Sequence, residues 1–212
     1  MTSVDILPRW ARIHSRPPAG GRALFLDRDG TIIENSPYLS DPEGVVLLPG
    51  AKETIQAFRA SAHAVVIVTN QSGIARGLCS EAQYDAVSAR LIDLLGPDAI
   101  TAIFTCPYHP DGIGQFAREH SWRKPSPGML TEAAALLEID LASSVMVGDS
   151  LSDIEAGVGA GIGRVIHVLT GHGAKQRPGV MAYADDMPRQ AGFTRLEFAE
   201  AIGEVRPSEF RR

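Results

Sequence analysis

The sequence predicts an α/β fold in which a parallel β-sheet carries helices on both faces. Short apolar runs rich in β-branched residues recur along the chain, and segments with helical patterns lie between them. Strands of a parallel sheet are buried on both faces, so they read as nearly continuous apolar runs rather than as alternating ones. The alternation of such runs with helices is typical of a doubly wound, Rossmann-like sheet.

Five segments are predicted as strands of this sheet. In chain order they are residues 23–26, 64–68, 99–105, 144–147 and 164–169. Open α/β sheets bind their ligands beyond the carboxyl ends of the strands. We therefore expect the functional residues in the polar segments that directly follow these strands.

Two of the intervening helices have clear start signals. Ser80 and Gln83 form a capping-box pattern before an apolar stripe, and Gly96-Pro97 ends that helix. Pro127-Gly128 is expected to open a second helix, which runs to Leu137.

The two ends of the chain carry different signals. Thr194 with Glu197 repeats the capping-box pattern and predicts a C-terminal helix. Residues 1–22 and 174–190 are expected to be irregular peripheral segments. The chain therefore divides into an N-terminal extension, residues 1–22, and a single domain, residues 23–212.

The composition indicates a globular protein without a basic surface. Of the 212 residues, 44% are hydrophobic and 21% are charged, and the net charge is −5. Nucleic-acid binders usually carry a basic balance or a basic stripe, so we expect no nucleic-acid partner. No segment is apolar over the length needed to cross a bilayer or to act as a secretory signal, and the two cysteines cannot form a disulfide framework. We expect a cytoplasmic monomer that does not contact membranes.

The first polar segment, Asp27-Arg28-Asp29-Gly30-Thr31, pairs two carboxylates after a strand. Asp27 can attack a phosphorus atom and form an aspartyl-phosphate, and Asp29 can protonate the leaving oxygen and then activate water. Gly30 allows a sharp turn that brings backbone N–H groups toward a phosphate. A calcium loop is disfavoured because the glycine comes too early for an EF-hand, whereas a plain acidic turn stays open for this motif alone.

Three further segments follow later strands. Thr69 and the backbone amides of residues 69–77 suit phosphoryl oxygens, although such residues also form ordinary turns. Lys124 can neutralise a phosphoryl group, or belong to a solvated surface pair. Asp149 and Asp153 can hold Mg²⁺, although Asp149 alone could be a helix cap. Their joint, ordered occurrence at successive strand ends favours the catalytic interpretation.

These four elements, in this order between residues 23 and 169, resemble the motifs of the haloacid dehalogenase-type phosphatases. The resemblance implies that Asp27 is the nucleophile and Asp29 the general acid/base. It also implies that Thr69 binds the phosphoryl group and that Lys124 stabilises it.

The same resemblance implies a magnesium cofactor. The metal would be held by Asp27, the backbone carbonyl of Asp29, and Asp149. Asp153 would be an outer-shell partner.

Longer stretches narrow the resemblance to the heptose bisphosphate phosphatases, a branch with histidinol phosphatases as near relatives. The stretches are residues 27–32, 68–77, 106–110 and 123–129. This branch lacks a large cap domain, and the intervals between the motifs leave no room for one. The resemblance implies substrate contacts by Asn70 and Arg123, and Arg28 and Gln71 complete the expected substrate-binding set.

The expected reaction is Mg²⁺-dependent hydrolysis of a small phosphorylated sugar, at the 7-phosphate of D-glycero-D-manno-heptose 1,7-bisphosphate. Alternative substrates are histidinol phosphate, another small phosphate ester, or a terminal phosphate on a nucleotide or nucleic acid. A non-catalytic phosphosugar-binding protein is the alternative from another class. Retention of both Asp27 and Asp29 argues against it, because a binder has no need for the second carboxylate.

The chain departs from this branch in a loop that commonly holds structural zinc. Tyr108 and Trp122 occupy positions where ligands are expected. Cys106, His109 and His120 supply three ligands at most, whereas a closed structural site needs four. We therefore expect a metal-free loop, with Tyr108 and Trp122 packing in place of the metal.

Three further histidines are assigned no catalytic part. His172 follows the last predicted strand and is expected to be a solvated loop residue. His63 and His167, which lie beside or within strands, are expected to be structural.

Overall fold

The computed structural model of the protein describes residues 9–187 and 194–207. Its strands are β1 (Ala11–Ile13), β2 (Ala23–Leu26), β3 (Ala64–Asn70), β4 (Ala102–Cys106), β5 (Val145–Gly148), β6 (Arg164–Val168) and β7 (Arg195–Ala199). They form one sheet in the order β1-β4-β3-β2-β5-β6-β7. Only β1 runs antiparallel to its neighbour, so the predicted parallel sheet is confirmed.

Helices cover both faces of the sheet, as predicted. They are α1 (Ala51–Ala60), α2 (Ser72–Ala75), α3 (Glu81–Leu95), α4 (Gly128–Leu137), α5 (Leu151–Gly159) and α6 (Gly173–Asp186). The buried apolar side chains of α1, and those of α3 other than Tyr84, belong to one core cluster, whereas those of α4, α5 and α6 belong to the other together with Tyr84. Within residues 9–187 and 194–207, none of these helices combines the length and the apolar character that a membrane crossing requires.

The central strand β2 contributes side chains to both core clusters. Ala23 and Phe25 belong to the cluster on the α4–α6 side, whereas Leu24 and Leu26 belong to the cluster on the α1 and α3 side. All four side chains are fully buried. Side chains of a strand point alternately to its two faces, so a strand between two helical layers must be apolar at every position.

The chain order reverses beside β2, which has β3 on one side and β5 on the other. At such a reversal the connecting segments leave toward opposite faces of the sheet. A crevice therefore opens beyond the carboxyl end of the strand. Asp27, the first residue after β2, lies at this point.

The predicted helix signals of α3 and α4 are confirmed. The Ser80 hydroxyl accepts a hydrogen bond from the Gln83 N–H at 3.2 Å, and the Gln83 side chain accepts one from the Ser80 N–H at 2.9 Å. Gly96 ends α3 with φ of 106°, and α4 begins at Gly128.

The prediction of a C-terminal helix after Thr194 is wrong, because these residues form β7. The strand lies parallel to β6, and the Glu197 carboxylate accepts hydrogen bonds from Arg164 Nε at 2.9 Å and Nη2 at 2.8 Å. The capping-box pattern is a local signal, and pairing with a neighbouring strand outweighs it.

The prediction of irregular peripheral segments is also wrong in two places. Gly173–Asp186 forms α6 although Pro178 lies inside it, and Val180 is fully buried in the core. Within the extension, Ala11–Ile13 joins the sheet as an antiparallel edge strand beside β4. Residues 188–190 of the second segment lie outside the described residues.

His63, expected to be structural, is buried just before β3. Its Nδ1 donates to the Ser61 carbonyl at 3.1 Å, and its ring meets Phe58 edge to face. Among the described residues its Nε2 has no hydrogen-bond partner. Burial, with a smaller contribution from Arg22, lowers the pKa of His63 to about 4. The folded protein therefore keeps this imidazole neutral.

His63 should make the free energy of unfolding depend on pH below about 6.5, which is the ordinary pKa of histidine. In that range the unfolded chain binds a proton at His63, whereas the folded chain does not. The stabilisation is complete above that pH and is lost toward pH 4 by about 1.4 kcal/mol per unit for one group. Urea unfolding of the parent and of His63→Gln at about pH 7.5 and about pH 5 measures the difference. Equal losses in both proteins would contradict this assignment.

Candidate active site

The four predicted motifs converge on one cavity at the carboxyl ends of β2, β3 and β5. Its volume is about 480 Å³. Its walls include the functional side chains of all four segments: Asp27, Asp29, Asn70, Lys124, Asp149 and Asp153. Positions far apart in sequence therefore meet where the strand order reverses.

Lys124 connects the nucleophile position to the acidic loop after β5. Its Nζ donates to Asp27 Oδ1 at 2.6 Å and to the Val68 carbonyl at 2.8 Å, and forms an ion pair with Asp153 Oδ1 at 2.6 Å. Burial alone lowers the pKa of a lysine, but the carboxylates of Asp153 and Asp27 outweigh it and raise the pKa of Lys124. The lysine is thus a buried cation, not half of a surface pair.

Asn70 fixes the backbone of that lysine. Its Nδ2 donates to the Lys124 carbonyl at 3.0 Å, and its Oδ1 accepts from the Lys124 N–H at 3.2 Å. Arg123 lies in the cavity wall and donates through Nη1 to the Tyr108 carbonyl at 3.4 Å. Substrate binding by Asn70 and Arg123 stays a prediction.

Asp27 is surrounded by more negative charge than its partner lysine offsets. Its pKa is raised well above the ordinary range by burial, and Asp153, Asp149 and Asp29 raise it further, while Lys124 acts in the opposite direction. The cavity walls carry four carboxylates and three side-chain cations, which are Arg28, Arg123 and Lys124. The carboxylates therefore outnumber the cations by one, and this excess favours the binding of a divalent cation.

The donor set fits such a cation. Asp27, Asp149 and Asp153 each offer a carboxylate oxygen, and these atoms lie within 4.8 Å of one another. A set made of oxygen donors alone suits Mg²⁺. Asp153 already pairs through Oδ1 with Lys124 and accepts through Oδ2 from Ser150 Oγ at 2.7 Å. Those contacts favour an outer-shell place for Asp153, as predicted from the motif.

Two glycines leave the space that the Asp149 carboxylate occupies. A Cβ on Gly30 or on Gly171 would lie 2.2 Å from Asp149 Oδ2, and both glycines have positive φ, at 82° and 58°. The same oxygen accepts from the His172 N–H at 2.7 Å. Burial and the Asp153 carboxylate raise the pKa of Asp149 to about 6, against the opposing effect of that N–H.

His167 orients the backbone of Asp149 from behind the cavity. Arg177 Nε donates to His167 Nδ1 at 3.0 Å, so the ring proton is on Nε2, which donates to the Asp149 carbonyl at 3.0 Å. Burial and Arg177 lower the pKa of His167, which keeps the ring neutral. Sequence reasoning missed this contact because Arg177 lies in a segment predicted to be irregular.

Asp29 is held by the two neighbours predicted to bind substrate. Arg28 Nε donates to Oδ2 and Arg28 Nη2 donates to Oδ1, both at 3.0 Å. Gln71 Nε2 donates to Asp29 Oδ2 and to Thr69 Oγ1, both at 2.8 Å. The general-acid candidate and the phosphoryl-binding candidate are therefore joined through one amide group.

A loop after the first motif forms a cavity wall that sequence reasoning did not identify. It comprises residues 35–39. Asn35 Nδ2 lies 2.8 Å from His172 Nε2, and His172 lines the cavity while remaining exposed, as expected of a loop histidine. Tyr38 has φ of 51°, and its hydroxyl accepts from Arg76 Nη1 at 3.3 Å. The positive φ of a non-glycine residue such as Tyr38 cannot be predicted from the sequence.

The three remaining zinc-ligand types face different partners. His109 Nε2 lies 3.0 Å from Arg76 Nη2, and His120 Nδ1 accepts from the Trp122 N–H at 3.1 Å. Among residues 9–187 and 194–207, Cys106 and these histidines do not form a cluster of metal-ligating atoms.

Aromatic side chains pack against one another in this loop. The Tyr108 ring stacks on His120 with centroids 4.4 Å apart, and the Arg118 guanidinium lies 4.3 Å from the Tyr108 ring centroid. Trp122 is buried and packs against Phe104 at 5.5 Å. The loop that carries Arg123 and Lys124 is thereby supported by side-chain contacts.

Comparison with known proteins finds phosphatases. The family model described as "HAD-hyrolase-like" (haloacid dehalogenase hydrolase-like) matches residues 121–187. A D-glycero-beta-D-manno-heptose-1,7-bisphosphate 7-phosphatase from Mesorhizobium japonicum is 45% identical over 143 residues, which cover 66% of this chain and 66% of that protein. The protein of the same name from Pasteurella multocida is 38% identical over 79% of this chain and 95% of its own length.

A solved structure gives the same result. The D,D-heptose 1,7-bisphosphate phosphatase from B. bronchiseptica, complexed with magnesium and phosphate, is 32% identical to this chain. The match covers 86% of this chain and 94% of that chain, with a TM-score of 0.71.

The glycines around Asp149 yield a test of the metal site. Gly30→Ala should weaken Mg²⁺ binding by at least ~10-fold, because the new methyl group must displace the Asp149 carboxylate. Gly161→Ala is a matched control, since Gly161 also has positive φ, at 77°, but nothing lies within 4 Å of its added Cβ. Both variants should share the cost of a side chain at positive φ, of about 1 kcal/mol, and Gly30→Ala should lose more because its Cβ also meets Asp149 Oδ2 at 2.2 Å. Calorimetric titration with Mg²⁺ measures binding, and equal affinity in both variants would contradict the site.

Proposed function

Because the chain belongs to the haloacid dehalogenase-like phosphatases, the family that includes the heptose bisphosphate phosphatases, we propose that it removes the 7-phosphate of D-glycero-D-manno-heptose 1,7-bisphosphate. The observation that carries the proposal is the convergence of Asp27, Lys124 and the two acidic residues after β5 on one cavity. The names of the relatives support the choice of sugar.

Asp27 supplies the nucleophile. Lys124 Nζ holds its Oδ1 at 2.6 Å, which leaves Oδ2 to attack the phosphorus atom. The oxygen–phosphorus bond that forms gives an aspartyl-phosphate as the bond to the sugar oxygen breaks. Lys124 also balances the charge of the phosphoryl group as it approaches the carboxylate.

Asp29 moves the protons in both halves of the reaction. It protonates the departing sugar oxygen, and then takes a proton from the water that hydrolyses the aspartyl-phosphate, so it ends as it began. Thr69 Oγ1 accepts its hydrogen bond from Gln71, so its own hydroxyl hydrogen remains to bind a phosphoryl oxygen.

Mg²⁺ would be held by Asp27, the Asp29 backbone carbonyl and Asp149, with Asp153 in the outer shell. When bound, the ion offsets the negative charge of the carboxylate nucleophile and of the phosphoryl oxygens. The surplus of carboxylates and the all-oxygen donor set support this assignment.

The cavity suits a small phosphorylated sugar. Its volume of about 480 Å³ is in the range of small-molecule sites, and among the described residues no separate cap covers it. The Arg123 guanidinium at its wall is suited to a second phosphate. Residues from the loop 35–39 and His172 complete the walls.

A panel of phosphate monoesters tests the proposal. The panel should contain both anomers of the heptose bisphosphate, histidinol phosphate and a nucleoside monophosphate, and a heptose bisphosphate should have the highest kcat/KM.

Asp27→Asn keeps the shape but removes the attacking charge, so its turnover should fall by at least ~10³-fold. EDTA should abolish activity and Mg²⁺ should restore it. Preference for histidinol phosphate would contradict the substrate, and activity of Asp27→Asn within about tenfold of the parent would contradict the mechanism.

We also propose that the loop containing Tyr108 and Trp122 needs no zinc. Metal analysis of the purified protein should find well under one zinc per chain, and a zinc chelator should leave Tm unchanged. Tyr108→Ala should lower Tm, because its ring contacts replace the stabilisation that a metal would provide. Stoichiometric zinc retained through Cys106, His109 and His120 would contradict this interpretation.

A further inference from the structure

Arg28 is directed to Asp29 rather than to the space of the cavity. Its Nε and Nη2 donate to the two oxygens of that carboxylate, and its side chain is only 4% exposed. Its Nη1 is buried and has no hydrogen-bond partner among the described residues. The guanidinium thus has no exposed donor to offer a substrate, although the residue lies in the cavity wall.

The side-chain amide of Gln71 also donates to protein atoms. An amide nitrogen carries two hydrogens, and those of Gln71 Nε2 point to Asp29 Oδ2 and Thr69 Oγ1. Thr69 cannot be moved independently of Asp29 without breaking one of these bonds. The amide therefore sets the distance between the phosphoryl-binding hydroxyl and the general acid/base.

The contacts of Asp29 distinguish its two oxygens. Oδ2 accepts from Arg28 Nε and from Gln71 Nε2, which occupies both of its lone pairs. Oδ1 accepts only from Arg28 Nη2 in this network and keeps one lone pair. A proton carried by Asp29 therefore belongs on Oδ1.

We propose that Arg28 and Gln71 are positioning residues that fix the Asp29 carboxylate so that Oδ1 delivers the proton to the leaving oxygen. The inference rests on the proposed function, in which Asp29 is the general acid/base. Asp29 itself is partly exposed, so without these donors its carboxylate can turn toward solvent. A displacement of about 1 Å at a reacting group can cost about 10²-fold in rate.

Two substrates with different leaving groups can distinguish a positioning role from a direct contact with substrate. An alkoxide is a poor leaving group that needs a proton as it departs, whereas p-nitrophenolate is stable without one. Loss of a positioned acid should therefore slow aspartyl-phosphate formation from an alkyl phosphate far more than from p-nitrophenyl phosphate, whereas the later hydrolysis of the aspartyl-phosphate is the same step for both esters. A lost substrate contact should instead raise KM.

The experiment compares Gln71→Leu and Arg28→Met with Asp29→Asn, using glycerol phosphate and p-nitrophenyl phosphate. Both positioning variants should lose at least ~10²-fold in the single-turnover rate of aspartyl-phosphate formation from glycerol phosphate and less than ~5-fold in that from p-nitrophenyl phosphate, and the half-saturating substrate concentration should change by less than ~3-fold. In the Asp29→Asn background, Gln71→Leu should add less than ~2-fold, because the two residues act as one unit. Exposed residues supply matched controls, Gln56→Leu and Arg16→Met, which should match the parent.

The outcomes separate this inference from the proposed function. A raised half-saturating substrate concentration with the single-turnover rate retained, or equal losses of that rate on both esters, would overturn positioning by Arg28 and Gln71. If Asp29→Asn alone shows no dependence on the leaving group, the acid role and the inference both fail. If Asp29→Asn is selective and Gln71→Leu is not, the inference alone fails. Gln71 is only half-buried, so its variant decides the question if Arg28→Met does not fold.

Discussion

The buried ammonium of Lys124 is the contact on which the rest of the site depends. It touches Asp27 at the end of β2, the Val68 carbonyl in β3, and Asp153 at the start of α5. A buried charge is tolerated only when it is paired, and removing one partner typically costs about 3–5 kcal/mol. One side chain thus joins three segments that share no sequence neighbourhood. Asn70 strengthens the arrangement by holding the lysine backbone.

Local and long-range contacts explain which features could be predicted from the sequence. Strand ends and the capping box of α3 are local, and the motif residues Asp27, Lys124 and Asp149 follow from strand ends meeting at one edge of a parallel sheet. Strand β7 depends on pairing with β6, so the local capping-box pattern that begins at Thr194 wrongly predicted a helix. The contact of His167 with Asp149 depends on α6 in the same way.

Motif patterns also indicate residue types more reliably than side-chain directions. Arg28 and Gln71 belong to motifs that resemble phosphate-handling segments, and donors in such places suggest substrate contacts. In the structure, Arg28 and Gln71 donate to Asp29, and Gln71 also donates to Thr69. The direction depends on the burial of Arg28 beside Tyr84, a ring from α3 that no spacing rule places there.

The close approach of Gly30 and Gly171 divides the rim of the cavity into two parts that differ in their freedom to evolve. A side chain at either position meets the other loop as well as Asp149, so the loops after β2 and β6 cannot drift independently. Residues 35–39 line the same cavity without that restriction on their side chains. Redesign of the substrate range should therefore begin with substitutions or insertions in residues 35–39, and Gly30 and Gly171 should be left unchanged.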